Sequence, residues 1–160
     1  MQNWTRTAGA LALAVTASAT TVATANAVTG APGDERGPAA RCARDLNQAV
    51  AQYISTTGAR DARGFERLLA TDYTVVLPGG TTFAGKPAGA AFIDRFFART
   101  DWTQTFAVTR TTVEGCSAAA VLLDSTYTDA DGPVDLVVGL SWVHEDGHWR
   151  VLLDQNTVIS

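Results

Sequence analysis

Three polar residues in a row, Asp154, Gln155 and Asn156, interrupt an otherwise apolar final arm of the chain, TrpArgValLeuLeu before them and ThrValIle after. At the two-residue period of an extended strand, Asp154 and Asn156 fall on one face with Arg150 and Leu152. Gln155 falls on the other face with Trp149, Val151 and Leu153. A carboxyl group held in apolar surroundings keeps its proton to higher pH and can serve as a general acid or base. A carboxamide beside it can orient a carbonyl or a water. The competing structural reading pairs Asp154 with Arg150 or a backbone N–H.

Other chemistry-bearing residues make weaker sets. His144 and His148 straddle Glu145-Asp146-Gly147 and are expected at a solvent-exposed turn. They have no third ligand at usable spacing, so no metal site is expected. Asp129 and Asp131 precede Gly132 without the twelve-residue calcium pattern, and read as turn formers. Ser125 has no evident His–Asp arrangement. Cys42 and Cys116 are the only cysteines. In an exported chain such a pair reads as a disulfide, while a thiol nucleophile would need a nearby His from the closing segment.

Export is itself a reading of the N-terminus. Arg6 is the only charge before residue 28. An uncharged Ala/Leu/Val/Thr-rich segment follows from Ala8 to Val22, then Ala25-Asn26-Ala27. That is the three-part pattern of a secretory signal peptide, with cleavage expected after Ala27. The apolar segment is too short, and too rich in Ala and Thr, to span roughly 30 Å of hydrocarbon. Removing Arg6 and no acid takes the formal charge from −4 to −5. Mild acidity argues against nucleic acid and against anionic membrane surfaces as partners. One lysine against eleven arginines, with abundant Ala and Gly, suggests a GC-rich bacterial genome. The organisation expected is a signal peptide at 1–27, a flexible Gly/Pro-rich leader at 28–40 and one domain at 41–160.

Positioning elements follow from periodicity. Leu46, Ala49, Val50, Tyr53 and Ile54 make one apolar stripe, predicting a helix over 39–57 with Gly58 as its stop. Asp61 caps a second predicted helix over 62–70, with Phe65, Leu68 and Leu69 facing the core. Strands are predicted at 73–77 and 81–84 around Pro78-Gly79-Gly80. A third helix opens at Pro87 and runs to about Arg99, its apolar face made by Phe92, Ile93, Phe96 and Phe97. Four long strands follow, at 103–113, 118–128, 134–145 and 148–159, joined by short turns and therefore antiparallel. Three helices and about six strands, with the helices segregated to one face, make an α+β fold.

The stretch LLATDYTVVLPGGTTFAGKPAGAAFIDRFF and the ending WVHEDGHWRVLLDQNT resemble the nuclear transport factor 2-like superfamily, and within it the SnoaL-like and ketosteroid-isomerase-related small domains. The resemblance covers about Arg41 to Ser160. It implies a cone-shaped, curved antiparallel sheet wrapped around the long N-terminal helix, with an apolar pocket at the open end. Members often dimerise, so a homodimer is an expectation carried by the resemblance. They include enzymes and non-enzymatic binding modules, and the fold alone names no activity.

The resemblance also implies which face points inward. Leu140, Trp142, Leu152, Asp154 and Asn156 fall in register with the isomerase's pocket, and Tyr53 matches its oxyanion-binding tyrosine. Leu77 falls where the isomerase has its general-base aspartate, and Leu140 where it has a protonated aspartic acid. With both positions apolar, steroid isomerisation by that route is set aside. The expectation is a secreted module that binds a small hydrophobic molecule in a pocket lined by Leu77, Leu140, Trp142, Leu152 and Asn156. The alternative is a cofactor-free acid–base enzyme, a dehydratase, cyclase or hydrolase, using Asp154 with Tyr53. The competing structural reading makes Tyr53 a core tyrosine with its hydroxyl at the pocket rim.

Overall fold

The computed structural model describes residues 37–159. The signal-peptide reading and most of the leader lie outside the described residues.

Helix α1 spans Pro38–Ala59, α2 Ala62–Glu66 and α3 Lys86–Phe97. The strands are β1 (Leu69–Val76), β2 (Thr82–Ala84), β3 (Thr103–Glu114), β4 (Ala118–Asp129), β5 (Gly132–Glu145) and β6 (His148–Val158). They form one curved, open six-stranded sheet in the order β2-β1-β6-β5-β4-β3. Among the described residues the chain adopts the predicted α+β class, with three helices and six strands.

The predicted stripe of α1 is its buried face, with Leu46, Ala49, Val50, Tyr53 and Thr57 turned to the core. Proline at the helix start loses only an N–H that would have no helical partner. The helix does not stop at Gly58. It runs one residue further, and Arg60 takes the left-handed conformation at φ 54°, its N–H donating to Thr57 O at 3.1 Å. Arg60 can hold this uncommon conformation because its guanidinium is anchored: Nη2 donates to the Trp102 carbonyl and the group lies 4.9 Å from the indole centroid.

Asp61 caps α2 as predicted, its side chain accepting from Gly64 N. The helix ends at Glu66 rather than near 70, because β6 recruits the following residues. Val151 N donates to Leu68 O at 2.7 Å, and Leu69 pairs with Val151. This β1–β6 pairing is parallel and joins the first strand to the last. It brings Val75 beside Asp154.

The β3–β4, β4–β5 and β5–β6 pairs are antiparallel, as the short turns predict. Leu136, Val138, Leu140 and Trp142 of β5 face inward with Ala119, Val121, Leu123 and Ser125 of β4. In β6 a register shift opposite Ser141/Trp142 inserts a bulge at Leu152. Period 2 therefore breaks there. Trp149 and Val151 are inward before the bulge, and Asp154 is inward after it. The assignment of Trp149 to the outer face is overturned: it is 3% exposed, and its indole N–H donates to Cys42 O at 3.1 Å.

Cys42 near the start of α1 is bonded to Cys116 in the β3–β4 turn, across 74 residues of chain. Restricting the unfolded chain over that span stabilises the fold by about 4 kcal/mol on the chain-entropy account.

Candidate functional site

Tyr53 projects from the buried face of α1 toward β6 because it lies seven residues after Leu46 on the apolar stripe. Its hydroxyl donates to Asp154 Oδ2 at 2.8 Å. Asp154 is 4% exposed, and its other oxygen accepts from Asn156 Nδ2 at 2.9 Å. The spacing of two that singled out Asp154 and Asn156 thus places both beyond the bulge on the same face. Asn156 Nδ2 also reaches Val76 O at 3.4 Å, tying the pair to β1. Asp154 has no cationic hydrogen-bond partner among the described residues, so the Arg150 pairing is not formed.

Burial pushes the Asp154 carboxyl from its ordinary value of 3.8 up to about 6, against the opposing pull of donors that favour the ionised form. Tyr53 and Tyr73 are both pushed well above the usual phenol range, first by burial and then by the neighbouring carboxylate charge. Proton exchange at this site near neutral pH therefore belongs to Asp154, with the phenols remaining protonated donors.

Asp154, Asn156 and Tyr53 line a cavity of about 490 Å³. Its walls are largely apolar. Leu77 and Val75 come from the β1 side, Leu136 from β5, and Phe92 and Phe96 from α3. The aromatic wall is ordered. Phe92 stacks on Phe83 at 4.9 Å, and Phe96 stacks on Trp102 at 4.3 Å. Gln104 adds a second polar contact to the lining, its Nε2 donating to the buried Ser125 hydroxyl at 2.9 Å.

The structure brings Tyr53, Leu77, Asp154 and Asn156 together at the cavity. Leu140 and Trp142 are not in the lining. They are 1% and 0% exposed and belong to the packed core. Leu152 is not in the lining either, because it sits at the bulge and its side chain leaves the inward face. Tyr127 rather than Asp124 faces the cavity, and Asp124 is exposed. His144 packs edge-on to Trp149, and His148 Nδ1 lies 2.8 Å from Asp146 O. No group of three or more His, Cys, Asp or Glu is placed to hold a metal among the described residues.

Sequence reasoning missed Gln104 and Tyr73. Gln104 carries a usable signal, a polar residue on the same strand face as Phe106. Tyr73 carries none, since a tyrosine opening a predicted strand reads as ordinary packing.

A curved sheet closed over one long helix, with an apolar cavity and a single buried carboxylate in its lining, defines a small α+β cavity domain. Solved structures place it within the NTF2-like, cystatin-like fold. An NTF2-like protein with a cystatin-like fold from Novosphingobium aromaticivorans superimposes with a TM-score of 0.63 at 18% identity, covering 76% of this chain and 84% of its own. A ketosteroid isomerase-like protein from Erwinia carotovora atroseptica gives 0.64 at 15% identity, over 73% and 95%. A proposed dehydratase of the NTF2-like family from Streptomyces avermitilis gives 0.65 at 13% identity, over 76% and 98%. No curated protein matches the chain. The SnoaL-like domain family matches residues 50–152, and the chain belongs to that family.

Proposed function

We propose that this domain binds a small, largely apolar molecule in the cavity and meets the ligand's polar end with Asp154. The observation that carries the reading is the cavity itself. About 490 Å³ with apolar walls is within the usual size of small-molecule sites. A buried carboxylate held only by neutral donors is costly in such a wall, and a polar group on the ligand would offset that cost. Gln104, held by Ser125, offers the ligand a second polar contact. Arg150 does not neutralise Asp154, which is held by the neutral donors of Tyr53 and Asn156 alone.

A second reading, cofactor-free acid–base catalysis, is favoured by one observation: the carboxyl titrates at about 6, where it can both take and give a proton. In that reading Asp154 moves the proton and Asn156 orients it. Tyr53 donates to Asp154 Oδ2, so in this reading it holds the base. Dehydration, cyclisation or hydrolysis of a small apolar substrate are the reaction classes that fit.

The location proposed is outside the cytoplasm, after removal of residues 1–27. The Cys42–Cys116 bond supports it. No helix among the described residues is long and apolar enough to cross a membrane. The domain proposed is 41–160, with α1 beginning slightly earlier at Pro38.

The test is identification, by mass spectrometry, of the small molecule that co-purifies with the exported protein, compared across wild type, Asp154→Asn and Leu77→Trp. Wild type is expected to carry an apolar ligand that Leu77→Trp, which fills the cavity, does not. Equal capture by wild type and Leu77→Trp sinks the cavity reading. Equal capture by wild type and Asp154→Asn, with turnover in neither, sinks catalysis.

A further inference from the structure

Tyr73 is wholly buried on the inner face of β1, and its hydroxyl has no hydrogen-bond partner. It lies two residues before Val75, which pairs directly with Asp154 across the parallel β1–β6 ladder. Tyr73 and Asp154 thus sit on neighbouring, directly paired strands. The Tyr73 phenol and the Asp154 carboxylate act on one another through charge and as a close donor–acceptor pair. Their geometry falls short of a full hydrogen bond.

The ring cannot easily retreat. Gly89 of α3 lies directly behind it, so close that a methyl group there would stand 2.4 Å from the ring edge. A glycine in mid-helix costs stability relative to alanine, and its presence here makes room for this ring. A phenylalanine would fill the same space without burying an unpaired hydroxyl. The retained hydroxyl needs another explanation, and Asp154 is the ionisable group within its influence.

We propose that Tyr73 is a positioning residue, its hydroxyl serving as a second phenolic donor that engages Asp154 whenever the carboxylate is ionised, so that a cavity ligand can displace or share the Tyr53 contact. Tyr53 from α1 and Tyr73 from β1 then approach one carboxylate from two elements, with Asn156 as the third donor. No charged side chain from any packed element joins them among the described residues. The arrangement lets Tyr53 turn toward a ligand without leaving the buried charge undersupplied. This rests on Asp154 being the working group of the site, but its test needs no ligand.

The test is the titration of the Asp154 carboxyl carbon by NMR in the intact, ligand-free protein labelled at aspartate, with Asp154→Asn to assign the signal. Tyr73→Phe keeps the ring against Gly89 and removes only the hydroxyl. It is expected to raise the midpoint by roughly half to one pH unit, the size of one hydrogen bond to a charged acceptor. Placing 3-fluorotyrosine at position 73, a more acidic phenol of nearly the same shape, is expected to lower it. Opposite shifts from the two substitutions are something a merely structural tyrosine would not produce. An unchanged midpoint in both overturns the proposal, and so does a shift in the same direction. If Tyr73→Phe does not fold, the fluorotyrosine protein alone decides: a lowered midpoint supports the role and an unmoved one refutes it. Either result leaves ligand capture by the cavity untouched, so the two readings fail separately.

Discussion

Replacing Asp154 with asparagine removes a buried titration and leaves the shape of the side chain nearly intact. Burial lifts the carboxyl from 3.8 to about 6. A carboxyl whose folded value is raised binds its proton more tightly in the folded state. Its contribution to stability is therefore fully present below about 4, and is lost as pH rises toward about 6. Two pH units at about 1.4 kcal/mol each give a loss of about 3 kcal/mol in wild type. Asparagine does not titrate, so the variant escapes this loss. It has one acceptor oxygen for two donors, Tyr53 and Asn156, which adds a cost that does not depend on pH. The quantity to follow is the difference in unfolding free energy between the two proteins, from urea denaturation at pH 4 to 7.5. Other titrating groups are common to both and cancel. The difference is expected to move by about 2.5 kcal/mol in favour of Asp154→Asn across that range, most of it below pH 6.5. A difference that stays flat with pH, or moves in favour of wild type, refutes the buried, raised carboxyl on which the site reading stands.

Tyr53→Phe removes the donor to Asp154 Oδ2 while keeping the ring against Phe65. It is expected to cost about 2 kcal/mol at pH 8, where the lost partner is charged, and less at pH 4, measured by urea denaturation at both. Gly89→Ala drives a methyl group into the Tyr73 ring, which is fully buried and hemmed in. The overpacking is expected to outweigh the gain in helix propensity and lower stability by about 1–3 kcal/mol, read as a fall in Tm. Reducing the Cys42–Cys116 bond opens a closed loop of 74 residues and is expected to lower stability by about 4 kcal/mol. Thermal unfolding with and without a strong reductant measures it, and an unchanged Tm counts against the bond.

The four long strands were legible because each has alternating faces and its turns carry Asp-Gly or Gly-Cys signals. The stripe on α1 was legible for the same reason, one uninterrupted period. What escaped the sequence was non-local. Nothing in residues 68–70 announces that β6 will bond to them in parallel, so they read as the end of a helix. The bulge at Leu152 is equally silent, because Val151-Leu152-Leu153 is uniformly apolar and carries no break in pattern. That single extra residue moved Leu152 off the inward face and Trp149 onto it. Asp154 and Asn156 kept their inward face because they follow the bulge, in register with Leu140 and Val138. Leu140 and Trp142 face inward as expected, yet so deeply that they pack the core rather than the cavity. Period tells which way a side chain points and not how far below the surface it ends.

The pairing of the first strand with the last has a consequence for the order of events in making the protein. Tyr53 and Asp154 are 101 residues apart in the chain, and β1 meets β6 only after the final turn has formed. The contacts that build the site are among the most distant in sequence, so they belong to the slow part of folding, when long loops must close. A chain emerging vectorially has α1, β1 and α3 in hand well before the strand that completes them. Until the eleven residues of β6 arrive, β1 is left without its β6 neighbour and the apolar face of α1 lacks part of its cover. Loss of even a short C-terminal stretch would therefore strip the sheet of its central tie and leave an adhesive intermediate rather than a weakened native protein.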